Sequence, residues 1–374
     1  MKVNGRSFET IWIHPENPGI VQIIDQRQLP FEFCIENLRT CQEVYTAIRD
    51  MHLRGAPLIG AAGALGMYLA VMYYERDVID KSFLAETAEY LKSSRPTAVN
   101  LSWAVDRVLE VSGAGGDKKS LSDQIRNICM EIIDEERQNC MMIGKYGLEI
   151  IKAISEKKRG DVVNILTHCN AGWLACIDYG TATAPVYQAH DKGIKVHVWV
   201  DETRPRNQGA RLTAWELQEH GVPCTLIADN TGGLLMQQGM VDLVITGSDR
   251  ASPYGDIVNK IGTYLKALAA KDNGIPFYAA LPSSTIDWSL TESAAETPIE
   301  QRGDDEVKEM EGLYNGQVFK VQITAPGVPV ANYGFDITPA RLVTGIITER
   351  GISNADKKSI FTLFPEKNIN PSTL

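Results

Sequence analysis

Two hydrophobic periods divide this chain. Over the first 158 residues, helical patterns fall at 57–76, an almost unbroken apolar run, and near 40–52, 82–93, 98–112 and 122–158, where apolar positions recur every three to four residues. That is the spacing of helices with a buried face. Ahead of them, residues 8–24 alternate (FETIWI, IVQII) around Pro15-Glu16-Asn17-Pro18-Gly19, which predicts a short β-hairpin. SGAGGDKKS, at 112–120, predicts a loop, and the long helix after it a bend at Gly144 or Gly147. Beyond residue 159 the period changes. Apolar, β-branched runs at 162–168, 195–201, 224–229, 241–247 and 276–281 alternate with helical patterns at 172–191, 208–220, 231–239 and 258–272. Strands and helices in alternation imply right-handed βαβ units and a parallel sheet. The reading is an α/β protein in two parts, a mainly helical 1–158 with a short hairpin and an α/β 159–374, meeting near Gly160. The polar tail FPEKNINPSTL predicts a loosely held end.

The 374 residues, 44% of them hydrophobic, suffice for two cores. A net charge of −10 without any Lys/Arg-rich block argues against a nucleic-acid partner. Seven cysteines with no C-x-x-C pair do not read as a disulfide scaffold, so a reducing, cytoplasmic compartment is expected. The amino terminus lacks a secretory apolar core. The uncharged stretch 57–74, PLIGAAGALGMYLAVMYY, only just reaches spanning length. Its Gly and Ala content and its close flanks, Arg54 and Glu75, read as a buried helix rather than a membrane span.

The richest chemistry lies in SDRASPYGDIVNKIGTY, 248–264. It follows the apolar run VDLVITG, so Asp249 and Arg250 arrive at the carboxyl end of a strand, where open α/β sheets bind ligands. Asn259 and Lys260 are expected at a helix start, a place that suits a phosphate. Cys169, in THCNAG, falls at a strand-to-helix turn, where backbone N–H groups would favour its thiolate. Cys34, Cys129 and Cys140 read as small buried hydrophobes. The spacing of His168, Cys169 and Cys176 matches no zinc pattern, so no metal is expected, and His168 is read as packing or bonding beneath the site. Arg204, Arg206, Asn207 and Gln208 read equally as sugar-phosphate ligands or as a salt-bridged loop. Arg54 and Arg95 each precede a helix start, with Pro96 at a favoured early position. No G-x-G-x-x-G follows the first strand of the second half, and no GK[ST] loop is present, so neither a dinucleotide nor a nucleoside triphosphate site is supported.

RGAPLIG, SRPTAVNLSWA, THCNAG, DETRPRNQGARLTAWEL, GSDR and GDIVNKIGTY, in this order, closely resemble the methylthioribose-1-phosphate isomerase family. IDQRQLP near the start and FDITPARLVTGIITERG near the end join them, so the likeness spans roughly residues 5–355. The wider family also holds isomerases of ribose 1,5-bisphosphate and 5-deoxyribose 1-phosphate, and regulatory subunits of the eukaryotic initiation factor that exchanges guanine nucleotide. The resemblance implies a small, largely helical N-terminal domain joined to a Rossmann-like domain, a homodimer, and a small-molecule sugar-phosphate substrate. It implies catalytic roles for Cys169 and Asp249, and substrate contacts at Arg54, Gly55, Ala56, Arg95, Gln208, Asn259 and Lys260. Four departures, at Ser248, Tyr254, Leu234 and the run Asn332-Tyr333-Gly334-Phe335-Asp336, bear on the sugar's 5-substituent.

Isomerising an aldose 1-phosphate to its ketose needs the ring oxygen to leave and a hydrogen to move from C2 to C1. No cofactor is required, because substrate and product share one oxidation level. Asp249 is the expected proton shuttle, with a pKa raised by burial, and Arg250 is expected to point away from it. Cys169 either takes the C2 proton or stands beside a hydride shift.

Overall fold

A computed structural model describes residues 1–112, 115–290 and 297–368. The first strands are short: β1 (Lys2–Val3), β2 (Arg6–Ser7), β3 (Ile11–Ile13), β4 (Val21–Ile24) and β5 (Ile35–Leu38). The expected hairpin is β3–β4, antiparallel, with Ile11 opposite Ile23, and β5 adds a third strand that the alternation did not announce.

Helices α1 (Cys41–Arg49), α2 (Ala56–Met72), α3 (Lys81–Lys92), α4 (Val99–Ser112) and α5 (Lys118–Lys157) follow, with a two-residue pair β6 (Val78–Ile79) and β7 (Gly116–Asp117) between them. Thr40 and Glu43 close a capping box on α1, and Asp80 caps α3. α2 has no polar face because it is buried all round, from Leu58 and Ala61 through Leu65 to Leu69. Gly60 and Gly63 let α4 approach its backbone closely at Asn100 and Leu101. The segment 57–74 is therefore a core helix, as read, and no described helix is long and apolar enough to cross a membrane.

One expectation here changes. The stretch 112–120 is less loop than its glycines suggest: Ser112 still ends α4, Gly116–Asp117 pairs as a strand, and Asp117 caps α5 at Lys118; Gly113 and Ala114 lie outside the described residues. α5 runs 40 residues without interruption. Gly144 and Gly147 admit Gln188, Ala184 and Pro185 of the following helix.

The second part is built on β8 (Val163–Thr167), α6 (Ala184–Asp191), β9 (Val196–Asp201), α7 (Ala214–His220), β10 (Cys224–Ile227), α8 (Thr231–Gln237), β11 (Leu243–Thr246), β12 (Arg250–Ala251), β13 (Ile257–Lys260), α9 (Thr263–Asp272) and β14 (Phe277–Ala280). A short α10 (Asp305–Lys308) leads into the hairpin β15 (Glu309–Tyr314) and β16 (Gln317–Gln322). β17 (Phe335–Thr338), β18 (Gly345–Thr348), β19 (Gly351–Ser353) and α11 (Lys357–Leu363) complete the described chain.

The main sheet has seven strands in the order β10-β9-β8-β11-β14-β18-β19. All neighbours are parallel except β18–β19. The chain winds outward from β8 through β9 to β10, then returns to β11 on the other side of β8. The order therefore reverses between β8 and β11, and a crevice opens beyond their carboxyl ends. The fold is mixed α/β around this parallel-rich sheet.

Three readings are corrected in this part. The pattern at 172–191 is helical only from Ala184; before it stand one 3₁₀ turn, Trp173–Ala175, and irregular backbone. The pattern at 258–272 splits, with Ile257–Lys260 forming a strand between β12 and β17 and the helix beginning only at Thr263. Ile257 and Val258 favour a strand, and Gly262, at φ 105°, turns the chain before α9. The start of the tail is held more firmly than expected, since Phe364 is buried against Trp288 and a 3₁₀ turn covers Pro365–Lys367; residues 369–374 lie outside the described residues.

Candidate active site

β8 and β11 deliver the two groups expected to do chemistry. Cys169 follows His168 directly after β8, and Asp249 follows Gly247-Ser248 after β11. Both line one cavity in the crevice between these strands. Cys169 adopts φ 67°, a left-handed conformation that a non-glycine residue holds only when its surroundings fix it. Two hydrogen bonds do so: the Cys169 N–H donates to Thr203 Oγ1 at 2.8 Å, and the Thr213 hydroxyl donates to the Cys169 carbonyl at 2.7 Å. No α-helix starts here, so the thiolate-stabilising helix end is missing. Burial pushes the Cys169 thiol up, and the nearby cations Arg54 and Lys260 only partly pull it back.

Burial likewise raises the Asp249 carboxyl, against the pull of Lys260, Arg54 and Arg95. Arg250 turns away, as expected: its guanidinium donates to the Thr97 carbonyl at 2.6 Å and pairs with Asp287 at 3.4 Å. Lys260 is buried and its pKa is lowered by burial, opposed by Cys169 and Asp249. Its ammonium stands 4.7 Å from the centre of the Phe335 ring. Asn259 donates to Thr263 Oγ1 at 3.0 Å. Both residues reach the cavity from β13 rather than from a helix start. The helix end itself is used otherwise, because Asp336 accepts from the Gly262 and Tyr264 N–H groups there.

The loop before α2 brings Arg54, Gly55 and Ala56 to the same cavity. Gly55, at φ 112°, lies so close to Ala175 that a Cβ would sit 2.3 Å from the Ala175 carbonyl oxygen. Arg54 is clamped by Asn170, donating to its side-chain Oδ1 and, at 2.6 Å, to its backbone carbonyl. Arg95 enters from the turn before α4, and Gln208 from the turn after β9. Burial lowers the Arg95 pKa, and its nearest counter-charge is Glu300 at 3.5 Å. All nine residues that the resemblance singles out thus line one cavity.

Other expected groups lie elsewhere. Arg204 donates to the Pro205 and Val307 carbonyls, and Arg206 pairs with Glu306 at 2.9 Å, so both tie their loop to α10 instead of lining the cavity. His168, by contrast, borders the cavity, its buried ring bonded as read, with Nδ1 at 2.8 Å from Asp201 and Nε2 at 2.8 Å from the Ile261 carbonyl. Asp229 lies near the same ring, at 3.9 Å, and the Lys266 ammonium reaches Asp201 at 3.0 Å and compensates the carboxylate charge. Cys129 and Cys140 are buried small hydrophobes, whereas Cys34 is partly exposed. The sequence reading missed Glu300 and Arg302, while Phe335, in a run noted for departing from the family motif, lines the cavity. Arg302 pairs with Glu300 at 2.7 Å and with Glu306 at 2.9 Å, in a stretch without periodicity that could have flagged it.

A second lobe of the cavity continues from Arg95 and Asp249. Its walls combine apolar Ile59, Ala98, Val258, Pro298 and Phe335 with the polar Thr97 and Thr297 and with Arg250.

The pattern of the Initiation factor 2 subunit family matches residues 52–355. A methylthioribose-1-phosphate isomerase of Desulfatibacillum aliphaticivorans is 53% identical over 370 residues, covering 98% of this chain and 100% of the relative. The chain belongs to this family. A methylthioribose-1-phosphate isomerase of Desulfosudis oleivorans is 54% identical over 362 residues, covering 96% and 97%. Among solved structures, 5-methylthioribose 1-phosphate isomerase from Pyrococcus horikoshii OT3 superposes with a TM-score of 0.82 at 38% identity, over 96% of this chain and 97% of that one. The delta subunit of translation initiation factor eIF-2B from A. fulgidus gives 0.78 at 35% identity, over 96% and 100%.

Proposed function

We propose that the chain is an aldose–ketose isomerase that converts 5-methylthioribose 1-phosphate to 5-methylthioribulose 1-phosphate in methionine salvage. The observation that carries this reading is the convergence of a thiol, a carboxyl group and three cationic side chains in one cavity. Arg54, Arg95 and Lys260 hold the phosphate, aided by the Gly55-Ala56 backbone, while Gln208 and Asn259 meet oxygen atoms of the substrate. The apolar walls of the second lobe, Ile59, Ala98, Val258 and Phe335, suit a methylthio group.

Asp249 is the proton shuttle at the ring oxygen. Its raised pKa keeps it protonated to higher pH than an exposed carboxyl, so it acts as an acid; activity falls as pH rises through that value. The upward shift of the Cys169 thiol disfavours a standing thiolate and supports the hydride route, with Cys169 a neutral neighbour of C1 and C2.

The proposal also takes in the finer architecture. Residues 1–158 form a mainly helical domain and 159–374 a Rossmann-like one, supported by the sheet that begins at Val163. The active species is a homodimer in the cytoplasm. Leu226, Leu234 and Leu265, on β10, α8 and α9, are exposed and available to a second copy.

Phosphorus-31 NMR of the purified protein with 5-methylthioribose 1-phosphate, 5-deoxyribose 1-phosphate and ribose 1,5-bisphosphate tests the reading. The methylthio sugar is expected to give the highest kcat/KM, and a preference for the bisphosphate overturns the assignment. With the C2-deuterated sugar, retention of the label at C1 is expected; wash-out into solvent overturns the hydride route.

A further inference from the structure

We propose that Glu216 is a positioning residue for this site: acting through the amide of Asn170, it fixes the guanidinium of Arg54 in the orientation that receives the phosphate. The inference rests on the function proposed above.

Glu216 lies on α7 and is wholly buried. A buried carboxyl is costly, and an apolar side chain of like volume would avoid that cost. Its retention therefore needs a use, and its contacts supply one. Glu216 Oε1 accepts from the Leu174 N–H at 2.8 Å and from Asn170 Nδ2 at 3.1 Å. Its other oxygen meets the Tyr187 hydroxyl at 3.2 Å. Burial pushes the carboxyl up to about 7, but Oε1 remains an acceptor whether or not the group carries a proton.

The consequence falls on Asn170. A side-chain amide can turn over and exchange its oxygen and nitrogen at nearly constant shape. Here two acceptors fix its sense. One is Glu216 Oε1. The other is Thr213 Oγ1, whose only proton goes to the Cys169 carbonyl, leaving a lone pair for Asn170 Nδ2 at 3.1 Å. With Nδ2 held inward, Oδ1 faces Arg54 and takes one arm of its guanidinium, while the Asn170 carbonyl takes the other. A turned-over amide would present N–H groups to a cation. Glu216 also dictates its neighbourhood, because a Cβ at Gly172 would sit 1.5 Å from Glu216 Oε2. The glycine of THCNAG is thus the space this carboxyl occupies.

Two substitutions separate reach from charge. Glu216→Asp keeps the carboxyl but withdraws it by one methylene from Asn170. Glu216→Gln keeps an oxygen in place for Asn170 and Leu174. In Glu216→Asp the KM for 5-methylthioribose 1-phosphate and the Kd of inorganic phosphate, measured by calorimetry, are expected to rise about tenfold, in line with losing a charge-assisted hydrogen bond, with kcat within about threefold. Glu216→Gln is expected to stay within about twofold of wild type in all three. Thr213→Val, which removes the other acceptor of the same amide, is expected to weaken phosphate binding in the same direction. Thermal unfolding of each variant establishes that it is folded. Phosphate affinity unchanged in Glu216→Asp or Thr213→Val, or a shift in Glu216→Gln as large as in Glu216→Asp, overturns the proposal. Wild-type turnover in the same assay judges the isomerase reading separately. If the wild type turns the sugar over and Glu216→Asp matches it in KM and Kd, only the positioning role falls. If the wild type does not turn it over, the isomerase reading falls and phosphate affinity still decides the positioning role.

Discussion

The layer around α2 and the crevice beyond β8 and β11 bury their side chains on opposite terms. Around α2 the packing is aliphatic: Leu58, Leu65, Leu101, Val105 and Ile132 are all fully enclosed. A polar chain runs from Asn100 through Ser284 to Glu136, and it leaves one Glu136 oxygen without a hydrogen bond. In the crevice, charges are enclosed together, and each is tuned by the others. Lys260 loses proton affinity and Asp249 gains it, because burial penalises both charged forms while their mutual attraction resists. The first region turns apolar area into stability. The second sets stability aside for groups whose protonation matters.

Substitutions that act in one region and not the other sharpen this contrast. The largest effect is expected in the crevice. Cys169→Ser and Asp249→Asn should each lower kcat by about a thousandfold or more with unchanged far-ultraviolet circular dichroism. Wild-type-like turnover in either variant would remove that residue from the chemistry. Next comes the α2 layer: Leu65→Ala should cost about 2–5 kcal/mol in urea unfolding while leaving KM unaltered. A change in KM instead would mean that the helical layer shapes the site directly.

The smallest effect tests Glu136, the buried carboxyl at the end of that polar chain. Burial raises the Glu136 carboxyl from its ordinary 4.5 to about 7. Between those values the native state holds a proton that the unfolded chain has released, so stability falls as pH rises through that window. The shift corresponds to about 3 kcal/mol at most from this group. Glu216 carries a similar shift, so Glu136→Gln should remove one share of the slope. The variant should gain on wild type between about pH 5 and pH 8 in chemical denaturation. A constant offset between the two proteins across that range would sink the assignment.

Legibility in the sequence followed the same divide. α4 and most of α5 were readable because a helix that buries a face repeats its apolar residues at a fixed period, and α2 because an uncharged Gly- and Ala-rich run of its length reads as a buried helix. β8, β9, β10, β11 and β14 were readable from β-branched runs between helical stretches. The stretch before Thr263 was misread because Asn259-Lys260 looked like a helix start, whereas pairing with β12 and β17 holds it extended. Arg204 and Arg206 suggested anion binding by type alone, but acidic Glu306 and the Val307 carbonyl, a hundred residues away, engage them instead. Glu300 and Arg302 were invisible because no local pattern marks a charge that pairs across the fold.

The order of residues by itself determined which segments bury an apolar face, that a parallel sheet forms, and which short motifs carry chemistry, since each depends on neighbours a few positions apart. Only the tertiary structure decided that the thiol of Cys169 is pushed up rather than down, that Lys260 reaches the cavity from a strand, and that a carboxyl on α7 orients Arg54. Those outcomes depend on desolvation and on hydrogen bonds between residues far apart in the chain, and such distances exist only once the sheet has brought β8 beside β11.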